Sequence, residues 1–151
     1  MRQKSLRPFE ESVAEIRGRT VLLDVDGTIL PDGASEISGA VREAVAKLRQ
    51  ENAIYLASNG NDVARVARLA HELKVGIVPA GVPAGKPFKR AARGLTAPPP
   101  FLVIGDKLVT DGLFAYMLEA PFLHVRPKRS KSEKLSVRLS YILENIVSLF
   151  V

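Results

Sequence analysis

Apolar and polar positions alternate along the chain in two different periods. Thr20-Val21-Leu22-Leu23 is an apolar run that ends in Asp24, Asp26 and Gly27, which predicts a buried strand emerging into a loop. From Glu36 to Glu51, Ile37, Val41, Val45 and Leu48 recur at spacings of three and four among charged residues, the pattern of an amphipathic helix. A second apolar run, Ala53 to Ala57, leads into Ser58-Asn59-Gly60-Asn61, with Asn61 as the expected cap of a helix from about Asp62 to Lys74. A brief strand is expected at Gly76 to Pro79, a short helix at Lys86 to Leu95, and a strand at Phe101 to Ile104 after three prolines. Leu108 to Leu118 reads as helical and Pro121 to Val125 as a fifth strand. Leu135, Leu139, Ile142, Leu143, Ile146 and Phe150 then trace one face of a terminal helix over about 132–150. Strands alternating with helices imply an α/β fold with a parallel sheet.

Composition narrows the class. At 151 residues, 46% hydrophobic and 25% charged, the chain fits one globular domain over 1–151, with the basic stretch 126–134 as a connection inside it. The absence of cysteine excludes disulfides, thiolate metal sites and cysteine nucleophiles, so any metal must be held by oxygen or imidazole. The net charge of +6 favours anionic partners. Met1 to Arg19 lacks the unbroken apolar stretch of a signal peptide, and no window reaches the about 18 apolar residues of a membrane span, so a cytoplasmic protein is expected.

Functional groups of open parallel sheets gather beyond the carboxyl ends of the strands. Three predicted strands end in polar clusters: Asp24-Val25-Asp26-Gly27-Thr28, Ser58-Asn59, and Gly105-Asp106 through Asp111. Neighbouring strands lie about 4.8 Å apart, so carboxylates from two of them could share one cation. Hard oxygen donors favour Mg²⁺, which joins a few carboxylates to a phosphate. Asp24 and Asp26, one residue apart, would point to the same side of an extended strand end. One carboxylate of such a pair can attack phosphorus while the other moves protons. Gly27 allows a sharp turn, the Thr28 hydroxyl can support the loop or Asp26, and Ser58 and Asn59 offer neutral donors to phosphoryl oxygens.

Asp24-Val25-Asp26-Gly27-Thr28 resembles the first motif of the haloacid dehalogenase-like (HAD) phosphohydrolase superfamily. Ser58 is similar to its second motif, Lys86 to its third, and Gly105-Asp106-x4-Asp111 to its acidic fourth. The resemblance implies a three-layer α/β/α domain with about five parallel strands in the order 3-2-1-4-5. It further implies Asp24 as nucleophile, Asp26 as general acid and base, and Mg²⁺ held by Asp24, the Asp26 backbone carbonyl and Asp106. Asp111 would support the metal or Lys86. Ser58 and Lys86 would bind the transferring phosphoryl group, with Lys86 also catalytic by neutralising charge on the phosphate and the nucleophile. Thr28 and Asn59, by their own chemistry, are further candidate substrate contacts. Ser58-Asn59, Arg65-Val66, Lys86-Pro87-Phe88 and the Gly105 to Asp111 stretch are similar to subfamily IIIA, related to phosphatidylglycerophosphate phosphatase. In that branch Asn usually stands where this chain has Gly27.

Only 31 residues separate Asp26 from Ser58, enough for one helix and its loops, so no cap domain is expected and the mouth should be open. The expected function is a Mg²⁺-dependent phosphomonoester hydrolase acting through phospho-Asp24, on a large or lipid ester such as phosphatidylglycerophosphate. The alternatives are a non-catalytic phosphate-binding module, and a sugar-phosphate phosphatase whose site is closed by a homo-oligomer. Nucleic-acid binding is disfavoured, since no basic strand carries interleaved aromatic residues. His71 and His124 receive no chemistry, and Arg65 and Arg68 read as a solvated helix face more readily than as substrate ligands. Arg126, Lys128, Arg129 and Lys131 could gather anionic substrate, with a solvated connection as the preferred reading. The terminal helix is expected to dock on the core or form a dimer through its apolar face. Peripheral contact with an anionic membrane is the minority alternative.

Overall fold

The computed structural model describes residues 5–58, 62–78, 98–131 and 134–148. Five strands form one parallel sheet: β1 (Thr20–Leu23), β2 (Ala53–Leu56), β3 (Gly76–Ile77), β4 (Phe101–Gly105) and β5 (Phe122–His124). Their spatial order is β3-β2-β1-β4-β5, as expected. β1 is central because all four of its residues can be buried, and strands covered on both faces need near-continuous apolar runs.

Alternation along the strands divides the core in two. Val21, Leu23, Ile54, Leu56 and Ile104 pack on one side against helices α2 (Gly39–Leu48) and α3 (Val63–Leu73). Leu22 and Val103 point the other way, onto Phe114 and Ala115 of the short helix α4 (Leu113–Met117). Helices therefore cover both faces, giving three layers.

Several boundaries differ from expectation. Ser38 caps α2 by accepting from the Val41 N–H at 3.3 Å, so that helix starts at Gly39, well inside the predicted span. Asp62, not Asn61, caps α3, its carboxylate accepting the Arg65 N–H at 2.9 Å; Lys74 ends the helix in a left-handed conformation at φ 56°. The stretch expected to be one α-helix over Leu108 to Leu118 opens as a π-helical turn, Leu108–Gly112, before α4. A short helix α1 (Phe9–Ser12), for which no period was visible, plugs Phe9 and Val13 into the larger core. The expected helix at Lys86 to Leu95 lies outside the described residues.

The largest correction concerns the terminal helix α5 (Leu135–Ser148). Its apolar stripe does not dock on the core: Leu135, Leu139, Ile142, Leu143 and Ile146 are all exposed, while Tyr141 and Glu144 are buried. The helix packs beside the π turn through these two polar-ended side chains, because each finds a hydrogen-bond partner there. Phe150 lies outside the described residues. Among the described residues no helix is long and apolar enough to cross a membrane.

Candidate functional site

Strand register brings the polar ends together. Leu23, the last residue of β1, is paired with Leu56 of β2 on one side and Ile104 of β4 on the other. The chain beyond each strand therefore leaves the sheet at the same level. The ladder runs one step further, with the Asp24 N–H donating to the Ile104 carbonyl at 2.9 Å and the Ala57 N–H to the Leu23 carbonyl at 2.9 Å. Asp24 is thus held in place by a sheet hydrogen bond.

Asp24, Asp106 and Asp111 converge: one carboxylate oxygen from each lies within 4.8 Å of the other two. All three are buried. With Asp26 and Ser58 they line a cavity of about 200 Å³ that also receives Lys107. Asp111 is 1% exposed and comes back over β4 on the π turn, where its carboxylate occupies the space a Cβ at Gly105 would need. The Lys107 N–H donates to the same carboxylate at 3.1 Å. Gly27, at φ 85°, is required for two reasons: an L side chain rarely adopts that conformation, and a Cβ there would strike the Asp106 carboxylate and lie 2.6 Å from the Tyr141 hydroxyl.

Thr28 is completely buried and its hydroxyl lies 2.9 Å from Asp24 Oδ2 and 3.2 Å from Asp106 Oδ1. It ties the two acids together, from a position that is fully buried and apart from the residues lining the cavity. The Tyr141 hydroxyl donates to Asp106 Oδ2 at 2.7 Å. Tyr141 is itself flanked by cations, with Lys107 Nζ 5.0 Å and the Arg129 guanidinium 4.5 Å from its ring centre. His124 donates from Nε2 to the Asp106 carbonyl at 2.9 Å, a structural role. Glu144 accepts the Leu108 N–H and, at 3.3 Å, the Val109 N–H, the first donors of the π turn.

Crowding three carboxylates into one buried site costs energy unless charge is removed or neutralised. Burial, followed by the repulsion of Asp24, pushes the Asp106 carboxyl up to about 7, against the lowering effect of the Tyr141 hydrogen bond. Burial likewise raises Glu144, opposed by the Val109 N–H. A cation placed among the three aspartates would offset the repulsion, and an all-oxygen, anionic donor set suits a hard divalent ion. The buried aspartate cluster can therefore bind a metal ion.

Asp26 lines the same cavity without joining the cluster. Its carboxylate is gripped by Arg65 in a two-pronged pair, Nη2 to Oδ1 at 2.8 Å and Nη1 to Oδ2 at 3.2 Å, and also accepts the Gly33 N–H at 3.1 Å. Arg65 further donates to the Ala34 carbonyl from Nε at 2.8 Å. Its side chain is 11% exposed, so the solvated-face expectation is corrected. Lys128 is taken up by Glu10 at 2.9 Å, which leaves it little role in gathering substrate. Asn59 and Lys86 lie outside the described residues.

Sequence reasoning passed over Tyr141, Glu144 and Lys107, and gave Arg65 the wrong surroundings. No local pattern marks Tyr141 or Glu144, whose partners lie 35 and 36 residues away in the chain. Lys107 did carry a signal, since it stands between the two acids of the Gly105 to Asp111 stretch. No family model, curated protein or solved structure matches the chain.

Proposed function

We propose that the chain is a HAD-like, Mg²⁺-dependent phosphomonoester hydrolase that works through a phosphorylated Asp24. The observation that carries this reading is the convergence of Asp24, Asp106 and Asp111 within 4.8 Å at the carboxyl edge of the sheet. Three buried acids with one neighbouring Asp26 are an expensive arrangement for a purely structural purpose.

An Asp24 carboxylate oxygen attacks the ester phosphorus, forming a P–O bond as the bond to the leaving oxygen breaks. Asp26, once it has left Arg65 and taken a proton from solvent, passes that proton to the leaving oxygen, then accepts one from the water that attacks the phospho-Asp24 phosphorus and returns it to solvent. Phosphate departs and both carboxylates return to their starting state. Since Arg65 and the Gly33 N–H hold the Asp26 carboxylate in the resting site, Asp26 must turn out of that grip to reach the leaving oxygen. Mg²⁺, when bound by Asp24, Asp106 and Asp111, supplies positive charge that offsets the carboxylates and the phosphoryl oxygens. Ser58 borders the cavity where those oxygens would lie; Asn59 is assigned to them as a neutral donor and Lys86 by resemblance. A cavity of about 200 Å³ suits a phosphoryl group and leaves the rest of an ester outside, in keeping with large substrates.

The Arg65 grip on Asp26 favours a second reading, a site that binds phosphate ligands without turning them over. Phosphate release from an aryl phosphate, followed with and without Mg²⁺, decides between them. Hydrolysis is expected to require Mg²⁺, to vanish in Asp24→Asn, and to fall by about 10²- to 10⁴-fold in Asp26→Asn. Undiminished turnover in Asp24→Asn would falsify the nucleophile. Phosphate binding with no turnover across a panel of lipid and sugar phosphates would establish the binding module.

A further inference from the structure

We propose that the outward face of α5 is a docking surface for an anionic lipid bilayer. At about 100° per residue, Ile142, Leu135, Ile146, Leu139 and Leu143 fall within an arc of about 100°, the width of an apolar stripe that normally faces a core. Here the stripe faces away. These five side chains are between 49% and 70% exposed, whereas Tyr141 and Glu144, on the opposite side of the same helix, are 5% and 6% exposed. The helix therefore uses its polar-ended side for intramolecular docking and leaves its most apolar side in water. Isolated exposed leucines are ordinary; five aligned on one helix are not.

Charge selects the occupant. The sole acidic residue between 135 and 148 is Glu144, which is buried against the π turn, so the exposed surface of α5 carries no anion. Arg138 borders the stripe and Lys134 immediately precedes the helix, both exposed, and the connection leading into the helix adds exposed Arg126, Arg129 and Lys131. Apolar side chains flanked by cations match acyl chains beneath anionic headgroups. A second copy of the chain would instead bring like-charged flanks together. Tyr141 spans the inner side of α5 to Asp106, so a bilayer on the outer side would lie about one helix diameter, roughly 10–12 Å, from the aspartate cluster. The inference rests on the faces of α5 and not on the phosphatase reading.

The test uses the full chain, sedimented with vesicles of phosphatidylcholine alone or of phosphatidylcholine mixed with phosphatidylglycerol. The protein should pellet with the anionic vesicles, less so at raised salt. Leu139→Ser with Ile142→Ser should weaken that partitioning by about tenfold or more, since two interfacial apolar anchors are lost. Far-ultraviolet circular dichroism and thermal unfolding check that this variant keeps its fold. Lys134→Glu with Arg138→Glu, which leaves the apolar stripe intact, should also weaken binding and gives an independent reading if the first variant is unstable. Absence of sedimentation with anionic vesicles, or binding unchanged in a folded variant, overturns the proposal. So does a dimer, seen by light scattering, that Leu139→Ser with Ile142→Ser converts to monomer.

Discussion

The Tyr141 hydroxyl, carried by a helix at the far end of the described chain, lies 2.7 Å from Oδ2 of Asp106 at the carboxyl end of β4. This contact joins the terminal helix to the acidic cluster. It also opposes the burial and repulsion that otherwise push protons onto Asp106.

Tyr141→Phe removes that donor while keeping the ring between Lys107 and Arg129. A hydrogen bond to a carboxylate contributes about 1.5–3 kcal/mol, so the ionised form of Asp106 should become harder to maintain. Metal binding requires that ionised form. Titration calorimetry with Mg²⁺ or Mn²⁺ near neutral pH should show affinity falling about tenfold, with the deficit shrinking as pH rises. Unchanged affinity across the range would separate Tyr141 from the cluster.

The elevated Asp106 carboxyl sets a pH dependence of stability. Its folded value is about 7 against an ordinary 3.8, so the folded protein binds this proton more tightly than the unfolded chain does. That contribution is fully present below the ordinary value and is lost as pH rises through about 7. Glu144 acts in the same sense. Metal-free protein should therefore lose stability between pH 4 and 7 relative to Asp106→Asn, measured by denaturant unfolding of both at each pH. Saturating Mg²⁺ should abolish much of the difference. Parallel curves for the two proteins would show that Asp106 does not titrate in this window.

Arg65→Lys tests the grip on Asp26. Lysine keeps the charge but cannot reproduce the fork or the Nε donation to the Ala34 carbonyl. The expected loss is about 1–3 kcal/mol of stability, read from thermal or chemical unfolding. If holding Asp26 in position limits turnover, kcat for an aryl phosphate should change with KM little affected. Identical kcat and stability would reduce the pair to an incidental contact.

How much could be read from the sequence depends on the range of each interaction. The β1 run and the acids at Asp24 and Asp106 were legible because strand burial and strand-end chemistry are written in adjacent residues. The π turn was not, since an apolar period of three to four looks the same whether the turn closes on the fourth or the fifth residue. Its widening shows in backbone hydrogen bonds that span five residues, from the Gly112 N–H to the Lys107 carbonyl and from the Leu113 N–H to the Leu108 carbonyl. Arg65 was misread because its partner Asp26 lies 39 residues away. Helical periodicity located α5 but could not say which side would pack, and here a tyrosine and a glutamate with specific partners outcompete a leucine stripe. Phe9 was missed because one apolar residue in a four-residue helix makes no period.

The turn between the two acids of β4's carboxyl end is also a ruler. Each residue added to or removed from a helix swings the chain beyond it by about 100°. Shortening the stretch from Lys107 to Thr110 by one position would carry the Asp111 carboxylate off the notch at Gly105 and around the helix axis, away from its two companions. The number of amino acids between Asp106 and Asp111 is therefore as much a part of the centre as the acids themselves.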